Sequence, residues 1–164
     1  MPAIKRFVLR GHVWLFATLL PLAVRLAPLH VLVGLLVPPP HARPYRGVSV
    51  EQIGRLVAGR LGRPRNMRRR ACLREGLTLF HFLRLADWPA TVHFAVFPPA
   101  GPTERMHAHC WVSLDGRAIS QPPAGPYTLL MSYPPAKGRV GNLLPTELFH
   151  GAGNASATSC RPYD

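Results

Sequence analysis

The chain has 164 residues, 20 of them Lys or Arg against 7 Asp or Glu, for a formal charge of +13 with His neutral. That length suits one domain, and with 48% apolar and 16% charged residues the chain can bury a core, which excludes a disordered basic tail. The 19 Pro and 14 Gly follow no G-x-y period, which excludes collagen and marks many loops and element ends.

Three cysteines, Cys72, Cys110 and Cys160, are too few and odd in number for a disulfide framework, so a reducing, cytoplasmic setting is expected. The charge invites a nucleic-acid reading. Only Lys5 and Lys137 are lysines, however, and an Arg, Pro, Ala and Gly bias is what a GC-rich genome writes. No zinc-finger spacing, RNP-like strand or basic zipper helix accompanies it. An acidic peptide or protein surface is therefore the expected partner, and no nucleic acid.

Val13 to Val37 is nearly all apolar, interrupted by Pro21, Arg25, Pro28 and His30. The longest clean run, Val13 to Val24, is 12 residues with Pro21 inside it, short of the roughly 20 a membrane span needs. Two apolar helical pieces broken at Pro21 and Pro28 are expected. Lys5, Arg6 and Arg10 precede them, and no small-x-small cleavage site follows before Pro38-Pro39-Pro40. Attachment to a membrane surface is the second reading, because cations flanking an apolar helix favour an anionic leaflet. Pro38 to Pro44 reads as a stiff extended linker. Residues 1–45 thus form apolar helices and a Pro-rich linker, 46–135 a core and 136–164 a loose tail.

Ser49 opens Ser-Val-Glu-Gln, an N-cap with Gln52 three residues on. Ile53, Leu56, Val57 and Leu61 then trace an amphipathic helix ending near Gly62. Arg63 to Arg70 is a basic loop, read either as a solvated run or, through Arg68, Arg69 and Arg70, as a cradle for an acidic ligand. From Cys72 to Asp87, Leu73, Leu77, Phe80 and Leu83 recur at helical spacing with apolar residues around much of the circumference, which predicts a central buried helix ended by Pro89. Thr91 to Phe97 and His107 to Leu114 alternate as strands, and Asp115-Gly116 is a hairpin signal. The return strand is expected over Arg117 to Ser120, one more over Tyr127 to Tyr133, and a loose tail from Pro134.

Cys72 sits where the basic loop becomes a helix, so the helix N-terminal partial charge and neighbouring guanidinium groups favour thiolate over thiol. The plain alternative is an inert buried Cys. His109 lies on a strand in HAHCWVSLDG, where a base for a thiol can be held rigidly. Alternation sets His107, His109, Trp111 and Ser113 on one face and Ala108, Cys110, Val112 and Leu114 on the other, core-facing one. His81, His93, His107 and His150 are read as structural. Cys72, His107, His109 and Cys110 are soft ligands, yet His109 and Cys110 point to opposite faces and neither C-x-x-C nor H-x-x-x-H spacing occurs, so no metal and no cofactor are expected.

The span MRRRACLREGLTLFHFLRLADWPATVHFAVF, a short loop and HAHCWVSLDGRAISQ resembles the transglutaminase-like cysteine peptidases that process lasso-peptide precursors. Their members similarly place Cys-Leu at a helix start, then an apolar helix ending in an Arg-rich turn, a strand, His-(Ala/Cys)-Trp-Val and a hairpin. The resemblance covers Ala23 to Tyr133. It implies an α+β fold with helices first and a small antiparallel sheet on the cysteine-bearing helix, Cys72 as nucleophile and His109 as base. It also implies removal of the leader from a ribosomally made precursor peptide, with a small leader-recognition protein and a cyclase as partners. Arg68, Arg69, Arg70 and Trp111 would bind substrate. The family's third site member falls at Gln121, a departure from a carboxylate. Gln121 is ranked above Asp115 as the group orienting His109, since Asp-Gly is explained by the turn itself. Transamidation would use the same residues. The runner-up is a non-catalytic scaffold that keeps the fold, favoured by Gln121 and by Ser113 where relatives often carry Glu.

Overall fold

The structure, a computed structural model, describes residues 3–39, 41–62, 71–98, 107–123 and 125–134. The helices are α1 (Ala3–Leu26), α2 (Leu29–Leu35), α3 (Val50–Leu61) and α4 (Ala71–Leu85), followed by strands β1 (Ala90–Phe97), β2 (His107–Leu114), β3 (Arg117–Ala118) and β4 (Thr128–Tyr133). The antiparallel sheet has the order β3-β2-β1-β4, and the α+β class expected from the sequence holds. Arg68, Arg69, Arg70 and Cys160 lie outside the described residues.

α4 is central because it is apolar on nearly every side. Leu77, Phe80, Phe82 and Leu83 are all fully buried, between α1 and α3 on one side and β1 and β2 on the other. α3 contributes Ile53, Val57 and Leu61 at a four-residue spacing, one stripe of a 3.6-residue period. Its N-terminus is capped as expected, the Ser49 hydroxyl accepting from the Gln52 N–H at 3.3 Å. α1 adds Leu9, Val13, Ala17 and Leu20 to the same core.

Two expectations about the N-terminal region are corrected. α1 runs unbroken through Pro21, and the chain leaves helical geometry at Pro28 (φ −63°, ψ 147°). A proline inside a helix frees the carbonyl four residues earlier, here that of Ala17, and Arg74 Nη2 of α4 donates to it at 3.4 Å. The orphaned acceptor is satisfied by tertiary contact, so the helix continues. Nor is Pro38 to Pro44 an extended spacer. Ala42 N–H turns back to the Pro39 carbonyl at 2.9 Å, and Arg43 donates from Nη1 to the carbonyls of Pro38 and Arg84, both at 3.2 Å. With its Nε on Asp87 at 3.1 Å, Arg43 fastens this segment to the C-terminal end of α4, where carbonyls lack helical partners.

The hairpin forms where Asp115-Gly116 predicts it, with φ of 48° and 81° at the two residues, the left-handed pair of a type I′ turn. β3 stops at Ala118 rather than Ser120. Beyond it the Ser120 hydroxyl accepts from the Val112 N–H at 2.8 Å, and the Val112 carbonyl takes the Ile119 N–H at 2.9 Å. A side chain replaces the next ladder bond, and the strand ends.

Candidate active site

Because β3 is short, β2 has an open edge. Residues along a strand turn their backbone groups alternately to either side, and Ala108, Cys110 and Val112 turn theirs away from β1. Val112 is served by Ile119 and Ser120. Farther along this edge the Cys72 Sγ lies 3.9 Å from the Ala108 carbonyl and accepts the Cys110 N–H. The first turn of α4 thus stands where a neighbouring strand would have been.

That placement lets His109 meet the sulfur. Its Nε2 lies 2.9 Å from the Gln121 carbonyl. A carbonyl can only accept, so this nitrogen carries the hydrogen and Nδ1 is left with its lone pair for the Cys72 thiol. The two side chains are close enough for each to shift the other's titration. Burial pushes the Cys72 thiol up, but the bond to His109 and its charge, with the N–H groups of Cys110 and Leu73, outweigh burial and bring the thiol below its ordinary pKa. For His109 the bond to Cys72 acts upward and burial downward. The Gln121 carbonyl and the charges of Cys72 and Glu75 add to the first, and the imidazole lies above its usual value. The opposite shifts of the two groups run in the directions that ease proton transfer from the sulfur to the ring. Cys110, two residues from the hairpin side of the same strand edge, is buried against α4 and its thiol is pushed far up; it remains protonated and unreactive.

The structure brings Cys72, His109 and Gln121 together, but it corrects the part Gln121 plays. The orienting group is its backbone carbonyl and not its side-chain amide. Asp115 does not take part: it sits exposed at the turn, six residues along the strand from His109, about 20 Å at the usual rise. Trp111 also departs from its expected role as a substrate-binding surface. It is 7% exposed, stacked with His93 at 4.9 Å and with His109 at 6.2 Å between ring centroids, with Tyr127 at 5.6 Å. It is a wall against which the His109 ring is held.

Three contributors escaped the sequence reading. His93, opposite Trp111 in the register, is held by Ser132 at 2.8 Å and Ser113 at 2.7 Å through its two ring nitrogens. Their hydroxyls fix the plane on which Trp111 lies. Glu75, one turn after Cys72, is raised by burial and lowered by the charge of His109, with a net rise. Its i, i+3 spacing from Cys72 was the available signal. Gly76 lets α4 approach β2: a Cβ there would meet the Cys110 Sγ at 2.5 Å. Among the described residues no three of His, Cys, Asp and Glu converge as metal ligands would.

A thiol lowered by an oriented imidazole at a helix start can attack a carbonyl, pass its proton to the ring, and use first-turn N–H groups without helical partners to hold an oxyanion. Residues 13–132 match the family model described as the Transglutaminase-like superfamily, a stretch that runs from the buried face of α1 through the hairpin into β4. No curated protein and no solved structure matches the chain. With the matched region covering most of the sequence and all the elements that hold Cys72 against His109, the chain belongs to the transglutaminase-like superfamily.

Proposed function

We propose that this protein is a cysteine peptidase that removes the leader from a ribosomally made, lasso-type precursor peptide. The superfamily includes cysteine peptidases. The observation that carries the reading is the pairing of Cys72 with His109, each shifting the other's titration toward proton transfer, with Nε2 of the ring bonded to the Gln121 carbonyl. In the reaction the Cys72 Sγ attacks the scissile carbonyl as its proton passes to His109 Nδ1. The imidazolium then protonates the leaving amine, and the acyl group stays on sulfur as a thioester. Water, deprotonated by the now neutral His109, hydrolyses the thioester and the thiol is restored. An amine in place of water would give transamidation from the same residues.

A cytoplasmic precursor, a small leader-recognition protein and a cyclase complete the setting proposed on the resemblance. The experiment has two parts. Iodoacetamide near neutral pH labels Cys72 selectively and His109→Ala slows the labelling. A lasso-type precursor peptide, supplied with a leader-recognition partner, is then expected to be cut between leader and core by the native chain and not by Cys72→Ala. Labelling of Cys72 no faster than that of Cys160 favours the second reading, a binding scaffold. That reading draws on the lack of a carboxylate bonded to His109 among the described residues.

A further inference from the structure

We propose that α1 docks the protein on an anionic membrane surface, lying flat in the interface with its outward face in the lipid. One face of α1 belongs to the core, yet the opposite face is also apolar. Ile4, Phe7, Trp14, Leu15, Leu22 and Leu26 are each at least half exposed, and Thr18 between them spends its hydroxyl proton on the Trp14 carbonyl at 2.8 Å. At 100° per residue these positions fall in one arc of about 120°, which also holds the exposed Arg25 near the C-terminal end of the helix. Exposed apolar side chains recurring along a helix of 24 residues form a patch of the kind that marks a protein or membrane interaction site.

Charge identifies the occupant. α1 has no acidic residue in its sequence, AIKRFVLRGHVWLFATLLPLAVRL. The helical period sets Lys5 just beyond one margin of the stripe and Arg10 just beyond the other. Arg60 of α3 crosses the α3-side margin, with its guanidinium 5.4 Å from the centroid of the Trp14 ring and bonded to the Thr18 hydroxyl at 3.1 Å. Beside it, a cavity of about 350 Å³ between α1 and α3 is lined by Arg6 and Arg55 with Gln52, over Leu9 and Leu56, a fit for a phosphate group above an acyl chain. A second copy would bring cations against cations in either orientation, whereas an anionic leaflet meets them all. Apolar side chains with Trp and Phe between cationic margins are the pattern of an interfacial helix.

α1 is long and apolar enough to cross a bilayer. Crossing would strip Leu9, Val13, Ala17 and Leu20, each no more than 2% exposed, from the core, and would break the bond of His12 to the Tyr45 hydroxyl at 2.9 Å. The helix therefore lies on the membrane and does not span it.

The test is sedimentation of the full chain with vesicles of phosphatidylcholine alone and of phosphatidylcholine with a quarter of phosphatidylglycerol. Binding to the anionic vesicles at least about tenfold tighter, weakening as salt is raised, is expected from several surface cations. A blue shift of tryptophan fluorescence on binding should vanish in Trp14→Phe. Leu15→Ser/Leu19→Ser/Leu22→Ser, at exposed positions, should retain its circular dichroism and lose binding. Equal binding to both vesicles, no binding to either at low salt, or a serine variant that binds as the native chain does would overturn the proposal. So would a self-association that the serine substitutions abolish without any lipid binding, which would assign the stripe to a second copy.

Discussion

Gly76 and Cys110 are in closest approach where α4 crosses β2, with no room for a Cβ on the helix: one built there would lie 2.5 Å from the Cys110 Sγ. Gly76 follows Cys72 by one helical turn, so the distance of the whole N-terminal turn from the open edge of β2 is set at this contact. Gly76→Ala should cost about 1–3 kcal/mol as an overpacked core does and should slow iodoacetamide labelling of Cys72. In a Cys110→Ala background the obstruction is gone, and the same substitution should be neutral or stabilise by up to about 1 kcal/mol through helix propensity. Urea unfolding of the four species closes the cycle.

The opposite shifts at Cys72 and His109 make a pH prediction. A thiol below its ordinary value should be alkylated rapidly at pH values below the roughly 8.5 of a free cysteine. Removing the imidazole in His109→Ala leaves burial as the chief influence, and the inflection of the labelling profile should move upward. Labelling followed by mass spectrometry from pH 5 to pH 10 reads both curves.

Because a backbone carbonyl orients His109, the Gln121 side chain is dispensable. Gln121→Ala should label at Cys72 within about twofold of the native chain. Ser120→Ala removes the hydroxyl that takes the Val112 N–H, a loss of about 1 kcal/mol for one hydrogen bond, and loosens the segment that presents the carbonyl. Its labelling should fall more than that of Gln121→Ala.

Three histidines are held neutral by burial. His12, His81 and His93 all lie below the ordinary imidazole value. His81 donates from Nδ1 to the Leu36 carbonyl at 2.8 Å and stacks on Phe16 at 4.5 Å. A lowered folded-state pKa means the unfolded chain binds protons first. Stability from these groups is complete above about pH 6.5 and is lost as pH falls toward the folded values. Thermal unfolding from pH 8 to pH 5 should show a falling midpoint, with a shallower slope in His81→Phe.

Elements with a strong local signature could be read before any coordinates. The 3.6-residue period of Ile53, Val57 and Leu61, the Ser49 cap, the alternation in β1 and β2 and the Asp115-Gly116 turn all act within a few residues of chain. Cys72 at a helix start and His109 on the outward face of β2 follow from the same local rules. What stayed hidden depends on distant partners. Pro21 sits inside a helix because Arg74, 57 residues beyond Ala17, reaches that carbonyl. The acceptor for His109 is a main-chain oxygen 12 residues on, and a carbonyl belongs to every residue, so side-chain identity at Gln121 could not reveal it. Trp111 is closed off by His93 and Tyr127, from a neighbouring strand and a later loop. The meeting of sulfur and ring at an unpaired strand edge likewise arises from packing, since periodicity assigns faces but never says which edge another element will fill.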